Sequence, residues 1–192
     1  MNLNRIVAQT QAEGPGTRFA IWTQGCSRHC KGCMSPHTWS FAPNLELSVE
    51  ELLKYISESR GIEGVTVLGG EPFEQADELL KLLLGVRKMG LSSIVFTGYT
   101  LAELSVRDSV CAKILQNLDV LVDGEYIASL RSFDVPMIGS SNQKFHFLTP
   151  RYTMEDIPPN QFEVRITKDG ALLCNGMGDI DKIFDLLEDI RS

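Results

Sequence analysis

The sequence predicts an α/β protein in which parallel strands alternate with helices packed on their outside. Short β-branched runs end abruptly in glycine-rich loops, and between them apolar residues recur at helical spacing. Length sets the extent. The 192 residues suffice for one sizeable core but fall short of a complete eight-stranded barrel, so the expectation is an incomplete β/α barrel in a single domain. Residues 1–150 would form that partial barrel, and residues 151–192 a C-terminal extension made of a hairpin and a helix.

The chain opens on two short strands, around Asn4–Gln9 and Thr17–Trp22, separated by the turn-rich Glu13–Gly16. A loop carrying three cysteines follows. Ser48 then reads as an N-cap with Glu51 three residues on, a capping box that opens a helix running to about Ser59. Gly64–Leu68 is an apolar, β-branched run of strand length, stopped by Gly69, Gly70, Glu71 and Pro72. From Glu74 to Lys88 the residues Ala76, Leu79, Leu80, Leu83 and Val86 keep helical spacing, and Ser93–Thr97 reads as the next buried strand. Helical stretches near Leu101–Arg107 and Cys111–Asn117 lead to the strand Asp119–Asp123. In the last third, Glu163–Cys174 reads as a hairpin turning at Lys168–Gly170, and Asp179–Arg191 as an amphipathic terminal helix. Trp22, Trp39, Phe145 and Phe147 read as packing residues.

Charge and composition narrow the classes. A net charge of −7 argues against binding along a phosphate backbone, which calls for clustered Lys and Arg, so nucleic acid is not an expected partner. No apolar stretch approaches the length of a membrane span, and the N-terminus lacks the basic, apolar and small-residue regions of a secretory signal. The expected location is cytoplasmic, without a membrane partner.

Of the five cysteines, Cys26, Cys30 and Cys33 crowd into eight residues, a poor disulfide framework in a reducing compartment and a good metal-binding loop. Thiolates at Cys-x3-Cys-x2-Cys spacing suit an iron–sulfur cluster or zinc. Closed structural zinc wants a fourth ligand, for which His29 and His37 are the nominees, though both read better as polar loop residues. A cubane held by three thiolates leaves one iron open to a substrate. Cys111 and Cys174 stand alone and read as buried small hydrophobes.

This spacing resembles the signature of the radical S-adenosylmethionine enzymes. Val67–Phe73 (VLGGEPF), about forty residues on, resembles that family's Gly-Gly-Glu-Pro segment, which holds the amino group of the methionine moiety. Glu13–Cys26 (EGPGTRFAIWTQGC) is similar to the stretch that precedes the cluster in activating enzymes of glycyl-radical proteins. FTGYT at Phe96–Thr100, LDVLVDGEY at Leu118–Tyr126 and GSSNQ at Gly139–Gln143 look closest to the group that activates anaerobic ribonucleoside-triphosphate reductase.

The resemblance implies a 4Fe–4S cluster on Cys26, Cys30 and Cys33, and S-adenosylmethionine (SAM) cleaved reductively to methionine and a 5′-deoxyadenosyl radical. Gly69, Gly70 and Glu71 would hold the methionine end of SAM. Thr97, Gly98, Asp123 and Gly124 would line its nucleoside side. Many members carry an aromatic residue where this chain has Gly32, so backbone contacts from Gly32, Cys33 and Met34 would serve the adenine instead. The implied activity is installation of a glycyl radical on a large partner like anaerobic ribonucleotide reductase, with flavodoxin or ferredoxin as low-potential electron donor. The alternatives are a radical tailoring enzyme for a small molecule or peptide, and a non-enzymatic iron–sulfur or zinc module. The tail from about Arg151 has no match in the compact members of the group.

Overall fold

The structure is a computed structural model that describes residues 1–178; the expected terminal helix over Asp179–Arg191 lies outside them. Its main element is a seven-stranded sheet. The strands are β1 (Asn2–Thr10), β2 (Arg18–Thr23), β3 (Leu45–Glu46), β4 (Gly64–Gly69), β5 (Ser92–Phe96), β6 (Val120–Asp123) and β7 (Lys144–Phe147), in the order β3-β1-β2-β4-β5-β6-β7. The helices are α1 (Val49–Glu58), α2 (Ala76–Lys88), α3 (Leu101–Arg107) and α4 (Ser109–Gln116).

The four inner strands β2, β4, β5 and β6 run parallel, as the alternation with helices requires. The edges do not. β1 pairs antiparallel with β2 because the turn between them, containing Glu13–Gly16, is too short for a crossover, and β7 returns antiparallel along β6. The sheet is therefore mixed rather than wholly parallel.

Strand side chains alternate between two unlike faces. Phe19, Ile21, Val65, Val67, Val95 and Leu121 meet Leu52, Ile56, Leu79, Leu82, Leu83 and Val86 of α1 and α2 in the main core, where each is at most 1% exposed. At about 25 cal/mol per Å² of apolar surface removed from water, this layer is the dominant favourable term for the fold. The opposite face carries a smaller cluster of Ile94, Val120, Val122 and Ile138, flanked by Phe96, Phe145, Phe147 and Tyr152. Helix ends follow the local chemistry. Ser48 and Glu51 form the expected capping box on α1, and Thr100 and Glu103 form a second on α3.

Arg18 starts β2 on the face away from the helices and is fully buried. Its Nε donates to Thr66 Oγ1 at 3.1 Å, its Nη1 to Ser92 Oγ at 2.5 Å and its Nη2 to the Val65 carbonyl at 2.8 Å. Thr66 Oγ1 donates in turn to the Glu13 carbonyl at 2.7 Å, which fastens the turn before β2 to the sheet. Burial lowers the guanidinium pKa to about 10, so the group still enters neutral pH as a cation.

A separate hairpin of β8 (Phe162–Ile166) and β9 (Leu172–Gly176) lies beside the start of the chain. Gln11 N donates to Glu163 Oε1 at 2.7 Å, and Arg165 Nη2 to the Gln9 carbonyl at 2.8 Å. Among the described residues, no helix is long and apolar enough to cross a membrane.

Arg18→Ala opens a cavity and strands several buried acceptors at once. It is expected to lower stability by about 3 kcal/mol, read from the urea midpoint of the metal-free protein.

Candidate cluster and cofactor site

The carboxyl ends of β2, β4 and β5 meet at a hollow of about 120 Å³. β2 runs straight into the cysteine loop. The loop is closed by Gly25 N donating to the Thr38 carbonyl at 2.8 Å and Cys26 N to the Trp39 carbonyl at 3.1 Å. Cys33 N donates to the Cys30 carbonyl at 3.1 Å, a tight turn that brings the last two cysteines together.

Each sulfur meets backbone amides. Ser35 N donates to Cys33 Sγ at 3.3 Å, the amides of Arg28 and His29 face Cys26, and that of Tyr126 faces Cys30. Burial pushes both the Cys26 and Cys30 thiols up, and these amides pull them back toward the thiolate. The donor set thus suits an iron–sulfur group, whose sulfurs are tuned by such hydrogen bonds. Among the described residues, no three His, Cys, Asp or Glu side chains converge on a single ion position. A cubane asks for no such convergence, because each thiolate binds a different iron.

Gly69 and Gly70 end β4 against this loop. Gly70 N donates to the Thr23 carbonyl and Glu71 N to the Gly25 carbonyl, each at 2.9 Å. A Cβ on Gly70 would lie 2.4 Å from the Gly25 oxygen, and one on Gly69 2.7 Å from Trp22 Cα. The glycines are needed so that two backbones can touch.

Glu71 is 1% exposed. Its Oε1 accepts from Phe73 N at 3.0 Å and Thr97 Oγ1 at 2.8 Å, and its Oε2 from Gly98 N at 2.8 Å. Desolvation outweighs these three bonds and pushes the carboxyl up to about 7. A carboxylate has about four acceptor positions, so one on Oε2 remains for a cationic ligand.

Of the residues nominated from sequence, the hollow brings together Cys26, Cys30, Cys33, Gly69, Gly70, Glu71, Thr97, Gly98 and Gly124. Met34 lies instead on a larger chamber across Cys33. Gly32 turns back toward Tyr126 and Ala128. Asp123 sits in a second hollow, on the helix side, where its Oδ2 accepts from Leu101 N at 2.6 Å and lies 2.9 Å from His146 Nε2, off the line of a hydrogen bond.

Arg28, Trp39, Tyr126 and Gln143 also line the cluster hollow. Sequence reasoning gave Trp39 a packing role and none to the rest. Gln143 closes the GSSNQ segment: its Nε2 donates to the Gly124 carbonyl at 3.0 Å and its Oε1 accepts from Gly139 N at 2.9 Å. Of the two lone cysteines, Cys111 is fully buried in the main core, where desolvation pushes its thiol up to about 11. Cys174 departs from expectation: it is half-buried and lines the chamber.

A family model described as "4Fe-4S single cluster domain" matches residues 12–146. The chain belongs to that family, and with it to the radical S-adenosylmethionine enzymes. The anaerobic ribonucleoside-triphosphate reductase-activating protein of Escherichia coli K12 is 30% identical over 156 residues, covering 77% of this chain and 99% of the relative. The protein of the same description from Vibrio cholerae is 32% identical over 157 residues, covering 78% and 99%. That of bacteriophage T4 is 30% identical over 152 residues, covering 75% and 92%. The crystal structure of QueE from Escherichia coli overlays on 51% of this chain and 52% of its own, with 26% identity and a TM-score of 0.43. The cofactors of this radical S-adenosylmethionine chain are a 4Fe–4S cluster and SAM.

Glu71 is more fully protonated in the folded chain than in the unfolded one between pH 4.5 and about 7. Its contribution to stability therefore falls as pH rises through that window. The stability of the wild type relative to Glu71→Gln is expected to decline from about pH 5 to about pH 7 and to level off above, in urea titrations of the metal-free proteins. A difference that stays level would mean that this carboxyl does not titrate there.

Proposed function

We propose that this chain is an activase that installs a glycyl radical on a large partner enzyme of the anaerobic ribonucleotide reductase kind. One observation carries the reading: Glu71 N bonds to the Gly25 carbonyl, so the three-thiol loop and the Gly69–Glu71 strand end face one hollow. A metal site alone would need only the loop. A site that also handles an amino acid cofactor needs both. The names of the relatives at about 30% identity support the choice of partner.

In this reading Cys26, Cys30 and Cys33 hold the cluster and leave one coordination position for SAM. Held there, the cluster would supply one-electron chemistry, with the electron drawn from a flavodoxin- or ferredoxin-like donor, for reductive cleavage of SAM to methionine and a 5′-deoxyadenosyl radical. The remaining acceptor position on Glu71 Oε2 takes the methionine ammonium, with Gly69 and Gly70 beside it. Bound there, a cation opposes the desolvation that raises Glu71 and favours its ionised form. Backbone groups of Gly32, Cys33 and Met34 contact the adenine. Thr97, Gly98 and Gly124 would line the nucleoside side, and Asp123, in the neighbouring hollow that Gly98 and Gly124 also line, would accept from a ribose hydroxyl. The inner parallel strands and their outer helices are read as an incomplete β/α barrel within one domain, open to a protein segment. The chain's own contribution is orientation and exclusion of water.

A tailoring enzyme for a small molecule is favoured by one observation, the hairpin that walls the chamber. A partner assay separates the two readings. After anaerobic reconstitution and reduction with dithionite, the protein should convert SAM to 5′-deoxyadenosine and, mixed with an anaerobic reductase, give the electron paramagnetic resonance signal of a glycyl radical. Cys30→Ala should abolish both, because it removes one anchor of the cluster. SAM turnover without a radical on the reductase would count against the activase, and unchanged turnover in Cys30→Ala against the whole mechanism.

A further inference from the structure

On the sheet face opposite the helices, a chamber of about 430 Å³ adjoins the cluster hollow, and both are lined by Cys33, Gly69 and Tyr126. The sheet does not enclose it alone. One wall is the β8–β9 hairpin, through Cys174, Asn175 and Gly176. That hairpin begins at Phe162, beyond the residues 12–146 matched by the family model.

The hairpin is seated firmly. Asn175, 4% exposed, donates to Thr10 Oγ1 at 2.9 Å and to Glu13 Oε1 at 3.2 Å. Gly176 has φ +110°, and a Cβ there would lie 2.9 Å from the Ala12 Cβ and 2.1 Å from the Gln161 carbonyl oxygen. The wall and the start of the chain touch with no room for a side chain between them.

Arg5 stands against this wall. Its Nη1 donates to the Cys174 carbonyl at 2.9 Å, and its guanidinium lies 4.1 Å from the centre of the Trp22 ring. Its Nε is buried without an acceptor among the described residues. Nη2 makes no bond among the described residues and, unlike Nε, is not buried, so it is the nitrogen of this guanidinium that a molecule in the chamber can reach.

We propose that Arg5, held by the hairpin, is a substrate-binding residue: its guanidinium takes a carbonyl oxygen of the backbone segment that presents a glycine to the radical. The hairpin would fix how deep that segment enters. This inference rests on the activase reading above. A neutral carbonyl suits the place better than a free carboxylate: Glu13 lines the same chamber, burial pushes its carboxyl up to about 7, and a second acid beside it would meet either its charge or the same cost of desolvation. In the reaction, one hydrogen atom leaves the glycyl Cα with its electron and ends on C5′ of 5′-deoxyadenosine. The Cα–H bond breaks, the C5′–H bond forms, and the unpaired electron stays on the glycyl carbon. The electron that made the radical comes from the low-potential reductant.

The test uses the reconstituted holoprotein, dithionite, SAM and N-acetylglycinamide deuterated at its α-carbon. Mass spectrometry reads the fraction of 5′-deoxyadenosine that carries deuterium, which normalises for the amount of SAM each variant cleaves. Wild type should transfer label. Arg5→Gln should lower the labelled fraction by about tenfold, the worth of one hydrogen bond from a charged donor. Arg5→Lys should recover part of it, and Asn175→Ala, which loosens the wall, should fall between. Equilibrium dialysis of SAM is run on each protein. Equal labelling in Arg5→Gln and wild type, no labelling in wild type, or a parallel loss of SAM affinity in all three variants would overturn the proposal. The glycyl-radical signal on a reductase is recorded separately. A normal signal that Arg5 substitutions do not alter sinks this inference alone, whereas labelled product without any signal sinks the assignment of partner alone.

Discussion

The site depends on a carboxylate that has been taken out of water. Glu71 can stay buried only while the amides of Phe73 and Gly98 and the hydroxyl of Thr97 keep their bonds to it, because an unsatisfied carboxylate in the interior is costly. Its own amide, in turn, holds the Gly25 carbonyl at the root of the cysteine loop. The ends of β4 and β5 and the loop that follows β2 are thereby tied to a single residue. The loop is supported by the sheet as well as by its own internal bonds.

At the other end of the strands Arg18 plays a comparable part. It is a cation whose nearest acceptors are neutral: a threonine, a serine and a carbonyl. Through Thr66 it reaches the Glu13 carbonyl, so the turn before β2 is positioned by a residue inside β2. One buried charged group near each end of the parallel strands leaves the apolar layer between α1, α2 and the sheet free to supply most of the stability.

Much of this was legible in the sequence, for local reasons. The Ser48–Glu51 capping box, the β-branched run Gly64–Leu68 and the helical spacing after Glu74 each carry their own signal, and their elements lie within a residue or two of expectation. The clustering of Cys26, Cys30, Cys33 and Gly69–Glu71 was legible because strand-end loops in a parallel sheet gather at one edge. What was not legible depends on pairing between distant segments. The antiparallel edge strand β7 is four residues long, too short for a period to stand out from packing aromatics. Gln143 acts through Gly124 and Gly139, contacts set by a loop's path and by no spacing rule. Cys174 read as a buried hydrophobe because nothing in a hairpin sequence says which surface it will cover.

The close approach of Gly176 to Ala12 reaches beyond this molecule. Two positions far apart in the chain share a seam that neither can widen, so a larger residue at one has to be answered by a displacement of the other segment. Chains that carry this wall should therefore keep a small residue where the first strand turns and a glycine where the hairpin ends. That pair offers a way to recognise, from sequence alone, which members of the family carry a walled chamber.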